Sequence, residues 1–158
     1  MASSITAAAP NGRVAAAAES QVVLCELAGE LYGVDIARVE EIIRLPEITR
    51  VPRAPHSVEG VINLRGTVIP VVDLRQVLGL PMSEPTKSSR VVVVEVSQHT
   101  IGMIVDAVTE VLRVPESAVE PPSAIVTDLD TTDLRGIAKL DGRLVMLLDL
   151  DRALDIAR

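Results

Sequence analysis

From residue 20 onward, the apolar positions of this chain fall into short runs broken by turn residues every few positions. The clearest case lies at 60–74, GVINLRGTVIPVVDL, where apolar runs at 61–64 and 67–72 flank an Arg65-Gly66 turn. Gly66 takes positive φ without Cβ strain, so the two runs read as a hairpin. The pattern returns 76 residues later: 136–150 reads GIAKLDGRLVMLLDL, with five of fifteen positions identical and most others exchanging one aliphatic for another. A second echo precedes each copy, VEEIIRLP at 39–46 and VTEVLRVP at 108–115. Two echoes in the same order indicate two related lobes.

Other elements follow from the same reading. Residues 21–27 and 31–34 form a hairpin about Ala28-Gly29-Glu30, and 90–96 and 101–105 repeat it in the second lobe. Asp35 is placed to cap a short helical turn. Ile36, Val39, Ile42 and Ile43 then recur at helical spacing, although Ile42-Ile43 also suits a strand, and the pattern leaves 36–45 open between the two. Pro46, Pro52 and Pro55 make the following stretch extended or looped. Pro70, without an N–H, belongs at a sheet edge or a bulge. Residues 73–79 read as a brief capped helix ending at Gly79, and 149–157 as its counterpart at the end of the chain. The connector is 80–89, rich in Pro and Ser; 121–133 is a polar loop. Roughly ten short strands with frequent turns describe compact β barrels, not a parallel α/β sheet.

Composition sharpens this. Of the 158 residues 48% are hydrophobic, yet Phe and Trp are absent and Tyr32 is the one aromatic, so Val, Ile and Leu must supply the core. A net charge of −7 argues against binding by phosphate neutralisation. With the aromatics missing as well, an RNA-binding barrel is disfavoured. The single Cys25 forms no internal disulfide and points to a reducing compartment. No apolar run approaches the ~20 residues of a membrane span. Residues 1–19, Ala-rich and interrupted by Pro10 and Gly12, lack the features of a secretory signal and are expected to be a disordered leader.

Candidate chemistry is sparse. His56 and His99 stand alone, and Cys25 lies in an apolar strand as a buried, inert thiol. Asp128, Asp130 and Asp133 lack the Gly and closing Glu of a calcium loop. There is no phosphate-cradling loop, and no convergent polar set suggests the pocket of a small-molecule sensor. No enzyme activity, cofactor or metal is expected.

The residues do resemble a known family. L-x-G-x-x-Y-G-V-D-I-x-x-V-x-E-I from Leu27 to Ile42, V-P-x-A-P at 51–55 and G-V-I-N-L-R-G-x-V-I-P-V-V-D-L-R at 60–75 are similar to the CheW-type chemotaxis coupling proteins. The similarity continues through 101–108 and 136–151, and it covers nearly everything from residue 21. In the first strand Val22, Val23 and Leu24 stand where the family commonly has aromatics, and the leader is outside its pattern.

The resemblance implies a mainly β fold: two SH3-like five-stranded barrels about a pseudo-twofold axis, with a few short helices. It places a CheW-like domain at 20–156, lobe one at about 21–80 and lobe two at about 89–154. It implies a cytoplasmic scaffold at the inner membrane face, linking chemoreceptor tip helices to the regulatory domain of the histidine kinase CheA. Carried over by position, a receptor-facing groove would include Val39, Gly60, Val108 and Val111, with Glu41 and Arg65 as a charged pair supporting coupling. Val91, Gly102 and Gly136 are the kinase-facing candidates.

Overall fold

Short hairpins dominate the computed structural model, which describes residues 19–55, 58–122 and 133–154. Residues 1–18 of the leader, His56, Asp128 and Asp130 in the polar loop, and the end of the expected C-terminal helix lie outside the described residues. Strand β1 (Glu19–Leu27) starts one residue inside the expected leader. It is followed by β2 (Glu30–Asp35), β3 (Val39–Arg44), β4 (Val58–Leu64), β5 (Thr67–Asp73) and helix α1 (Leu74–Val77). The second half runs β6 (Arg90–Val96), β7 (His99–Val105), β8 (Ala107–Pro115), β9 (Val119–Glu120), β10 (Leu134–Leu140), β11 (Arg143–Leu148) and α2 (Leu150–Ala153). The architecture is the expected one, mainly β with a few short helices.

Local chemistry accounts for the boundaries. Four hairpin turns have positive φ at both central residues: Ala28-Gly29 (52° and 84°), Arg65-Gly66 (53° and 88°), Ser97-Gln98 (51° and 68°) and Asp141-Gly142 (50° and 77°). That geometry matches the right-handed twist of the strands it joins. Asp73 caps α1 by accepting from the Arg75 N–H at 3.0 Å. Gly79 closes that helix: the Leu80 N–H donates to Arg75 O at 2.8 Å and the Gly79 N–H to Gln76 O at 3.2 Å, a paired C-terminal cap. Pro70 lies just outside the parallel ladder between β5 and β7, which begins at Val71.

The ambiguous stretch 36–45 resolves into both alternatives. Asp35 accepts from the Ala37 N–H at 3.0 Å and caps a single 3-10 turn, Ile36–Arg38, after which the chain is strand. The helical spacing of Val39 and Ile42 arises from a β-bulge. Val39 pairs with Val94 but Glu41 with Val93, so the skipped Glu40 returns Ile42 to the face of Val39.

Two sheets form, with strand orders β8-β1-β2-β11-β10-β9 and β3-β6-β7-β5-β4. Under the internal echo β1 corresponds to β6, β2 to β7, β3 to β8, β4 to β10 and β5 to β11. Replacing each strand of the five-stranded sheet by its counterpart reproduces the order of the other sheet up to β9, whose place beside β4 is taken by the isolated Thr49–Val61 bridge. Even the irregularities correspond: the bulge between Val58 and Gly60 matches that between Leu134 and Gly136. The division into contiguous lobes at 21–80 and 89–154 does not describe these sheets. Each SH3-like barrel takes its first hairpin from the other half of the chain: β1-β2 joins β8, β10 and β11, while β6-β7 joins β3, β4 and β5. The chain crosses between sheets through one 3-10 turn after β2 and through Asp106 alone after β7. These connectors are too short to fold each hairpin back on its own half.

The exchange explains the two most apolar runs of the sequence. Val22 and Leu24 of β1 pack inside one barrel with Val114, Ala138, Val145 and Leu147. Val91 and Val93 of β6 pack inside the other with Ile62, Ile69 and Val71. The alternate residues, Val23, Cys25 and Leu27 of β1 and Val92, Val94 and Val96 of β6, meet in a third core shared by the barrels. A strand buried on both faces reads as a continuous apolar run instead of an alternating one. Burial pushes the Cys25 thiol up to about 12, consistent with an inert core residue.

Candidate functional site: the seam between the barrels

The shared core ends at two symmetry-related margins. On β3, Val39 and Ile42 stand opposite Val94 and Val92. On β8, Val108 and Val111 stand opposite Cys25 and Val23. Directly opposed residues in a sheet share a face, so all four side chains lie on the side of the shared core. Val39 and Val108 pack half-buried against it. Ile42 and Val111 are left 39% and 50% exposed. Sequence reasoning singled out Val39, Val108 and Val111 but missed Ile42. The signal was present, because Ile42 is the echo of Val111 in VEEIIRLP and VTEVLRVP.

Beside this margin Arg65 and Glu41 meet. Two parallel bonds join them, Nη1 to Oε2 at 2.5 Å and Nη2 to Oε1 at 2.7 Å. The bulge that returns Ile42 to the face of Val39 places Glu41 opposite Val93, where it reaches the β4-β5 turn. Its side chain is 23% exposed, whereas that of Arg65 is 75% exposed. The hydrogen bonds to Glu41 raise the Arg65 guanidinium further above its ordinary value. The result is a cation of fixed orientation, since the fork geometry ties the guanidinium plane to the carboxylate. Glu110, the echo of Glu41, has a looser counterpart in Arg143 of the β10-β11 hairpin at 3.5 Å.

The glycines expected at partner surfaces lie inside. A Cβ on Gly60 would come within 2.4 Å of Thr49 O, because Thr49 and Val61 bond across this point at 2.8 and 2.9 Å. A Cβ on Gly136, its echo, would lie 2.6 Å from Val119 Cγ1. For Gly102 the clash would be with Val91 Cγ1 at 2.8 Å, and Val91 is 0% exposed. Val91 and Gly102 therefore meet within one barrel while Gly136 packs in the other. The three form no common surface and present no side chain to a partner.

Two further ion pairs stand where the chain crosses between sheets. Arg75 of α1 donates to Asp106 through Nε at 2.9 Å and Nη2 at 2.5 Å, and Asp106 also accepts from the Ala28 N–H at 2.9 Å. Arg38 donates to Asp151 of α2 at 3.2 and 2.9 Å. The Arg75 guanidinium beside Asp106 holds that carboxyl below the usual range, as Arg38 does for Asp151. Among the described residues no cluster of three or more His, Cys, Asp or Glu is grouped to hold a metal. None of the described helices is long and apolar enough to cross a membrane.

A family model described as the CheW-like domain matches residues 21–158. The chain belongs to this family. It is 36% identical to the chemotaxis protein CheW of Thermotoga maritima, covering 87% of this chain and 89% of that one. It is 34% identical to CheW of Rhizobium meliloti, covering 83% and 84%. The crystal structure of the scaffolding protein TtCheW from Thermoanaerobacter tengcongensis superposes with a TM-score of 0.80 at 40% identity, covering 87% of this chain and 93% of that chain. The protein is accordingly a non-catalytic chemotaxis scaffold, of the family whose role is coupling receptors to the kinase CheA.

Proposed function

We propose that the seam takes an amphipathic receptor helix, laid against Val39 and Ile42 from one barrel and Val108 and Val111 from the other, with the Glu41–Arg65 pair at its rim. The observation that carries this reading is the pair of symmetry-related apolar rows at the open margins of the shared core. An apolar helical stripe would complete the burial that the two barrels leave unfinished. The cytoplasmic tip of a chemoreceptor supplies such a helix, which sets the protein at the inner face of the membrane. The regulatory domain of CheA binds a separate surface on the barrels. Val91, Gly102 and Gly136 act on that surface through barrel shape, because a side chain added at either glycine would move Val91 or Val119.

Ile42→Asp and Val111→Asp test the seam at exposed positions, where the fold tolerates a charge. Each should weaken binding of a receptor cytoplasmic fragment at least tenfold in isothermal titration while CheA binding stays near wild type. Wild-type receptor affinity in both variants would end the reading. Equal loss of both partners from a folded variant would place the kinase on the seam as well.

A further inference from the structure

The strands that border the seam are also open edges of their sheets. β3 and β8 each end a sheet and pair on one side. Thr49 bridges to Val61 of β4, and counting back antiparallel from there sets Pro46 opposite Leu64, the last residue of β4. All of β3 therefore runs past the tip of the β4-β5 hairpin. In the other barrel Val119 stands opposite Ala138, just before the end of β10, so β8 runs past the β10-β11 tip in the same way. The side chains of Arg65 and Arg143 reach back from these tips to Glu41 and Glu110. The other two outer strands are less open, since β4 is met by the Thr49 bridge and β9 has 2 residues. Residues 39–44 and 107–112 contain no Pro or Gly, and half or more of each stretch is apolar. A strand of this kind, with a free row of N–H and C=O groups, is a template for pairing with another strand.

Each edge carries one extra residue at the same place. Glu40 is skipped between Val39, opposite Val94, and Glu41, opposite Val93. Thr109 is skipped between Val108, opposite Cys25, and Glu110, opposite Leu24. Glu40 and Thr109 are echoes of one another, and both are exposed. Without Glu40, Val39, Glu41 and Ile42 would stand opposite Val94, Val93 and Val92 in an ordinary ladder. Pairing within the sheet has no use for either residue. A bulge acts on the free side instead: it bends the strand, increases its twist and breaks the even spacing of backbone donors and acceptors.

We propose that the bulges at Glu40 and Thr109 close these edges to strand addition by a second copy of this chain. Two copies meeting edge to edge about a twofold axis would set like strands antiparallel, β3 on β3 or β8 on β8. Such a pair would cover part of the margin where Ile42 or Val111 is exposed. With the edges closed the seam stays uncovered in the monomer, and the receptor helix of the proposed function enters without displacing another copy.

Deleting Glu40 or Thr109 tests this, because every cross-strand partner in β3 and β8 is kept. Sedimentation equilibrium over a concentration series should find the wild type monomeric and each deletion variant dimerising at least tenfold more tightly. Hydrogen exchange should then be slowed in 39–44 for the first variant and in 107–112 for the second. Arg65→Ala keeps the bulge, loses the side chain that reaches back over β3, and should stay as monomeric as wild type.

Deletion variants no more associated than wild type would overturn the proposal, as would dimers protected elsewhere or a wild type that dimerises through either strand. Equal dimerisation of Arg65→Ala would assign the closure to the side chain and reject the bulge. Failure of both deletion variants to fold would also reject it, since the extra residue would then serve the sheet itself. Self-association is read without a receptor, so its outcome is separate from that of the receptor titrations.

Discussion

Arg65 is a turn residue whose side chain is held in one orientation in spite of its exposure. A long cation at a hairpin tip is normally free in water, and an exposed ion pair contributes little to stability. Here the carboxylate of Glu41 grips both Nη atoms, and in the function proposed for the seam the gain lies in donors held in place before a partner arrives. Arg65→Ala and Glu41→Ala should each leave thermal unfolding near wild type while lowering receptor-dependent activation of CheA in a reconstituted assay. The exchange Arg65→Glu/Glu41→Arg should fail to restore activation if, as proposed, a partner uses the cation's place at the turn. Full coupling by either alanine variant would reduce the pair to surface decoration. Gly60 is the opposite case, an interior residue whose role in the structure is to admit a neighbouring backbone. Its missing Cβ admits Thr49 O at a point where 2.4 Å is available, so Gly60→Ala should cost about 1–3 kcal/mol in urea unfolding. Gly66→Ala meets no atom within 4 Å, and its cost, about 1–2 kcal/mol, comes from the left-handed backbone alone.

At the scale of elements, the crossovers concentrate the electrostatics. Asp106 ties α1, the β1-β2 turn and the start of β8 together, and its carboxyl is depressed chiefly by the hydrogen bonds from Arg75. A carboxylate depressed in the folded state contributes stability that is present above its unfolded pKa and lost as pH falls through the folded value. Asp106→Asn should therefore destabilise the protein most near neutrality. The difference from wild type should close as pH falls through the lowered pKa of Asp106, beneath the ordinary carboxylate range, where the wild-type carboxyl is itself protonated. Thermal melts across pH 2–7 would check this, and a difference independent of pH would mean that the hydrogen-bond geometry matters and the charge does not. The bulges at Glu40 and opposite Leu24 are the other device at this scale. Each bends an otherwise regular strand so that one residue faces the seam while its neighbour faces the rim.

For the whole molecule, the exchange of hairpins makes the halves interdependent. Residues 1–84 alone would hold β3, β4 and β5 without the β6-β7 hairpin that completes their barrel, and they would leave Ile62, Ile69 and Val71 without Val91 and Val93. Residues 85–158 would lack β1, which is buried on both faces. Each fragment expressed separately should give the far-UV circular dichroism of an unfolded chain, and equimolar mixing should recover the β signal. A fragment that folds alone as a stable monomer would show that the barrels are separable units.

The sequence by itself determined the hairpins, because turn chemistry is local: Gly29, Gly66 and Gly142 supply one left-handed position each, and apolar runs on either side supply the strands. It also determined the pseudo-symmetry, the aliphatic core and the family, since these depend on which residue types recur and in what order. Tertiary structure alone decided which hairpin completes which barrel. Apolar character at Val22, Val23, Val92 and Val93 says that both faces of β1 and β6 are buried, but it does not name the neighbour that buries them. The same limit hid the bulge at Glu40, whose apolar spacing imitates a helix until the ladder to Val93 and Val94 is formed. It also concealed that Val91, Gly102 and Gly136 are interior, because a small or branched residue in a strand serves equally a close-packed barrel and an exposed face. Burial depends on what packs across from a residue, and in this protein that neighbour comes from the other half of the chain.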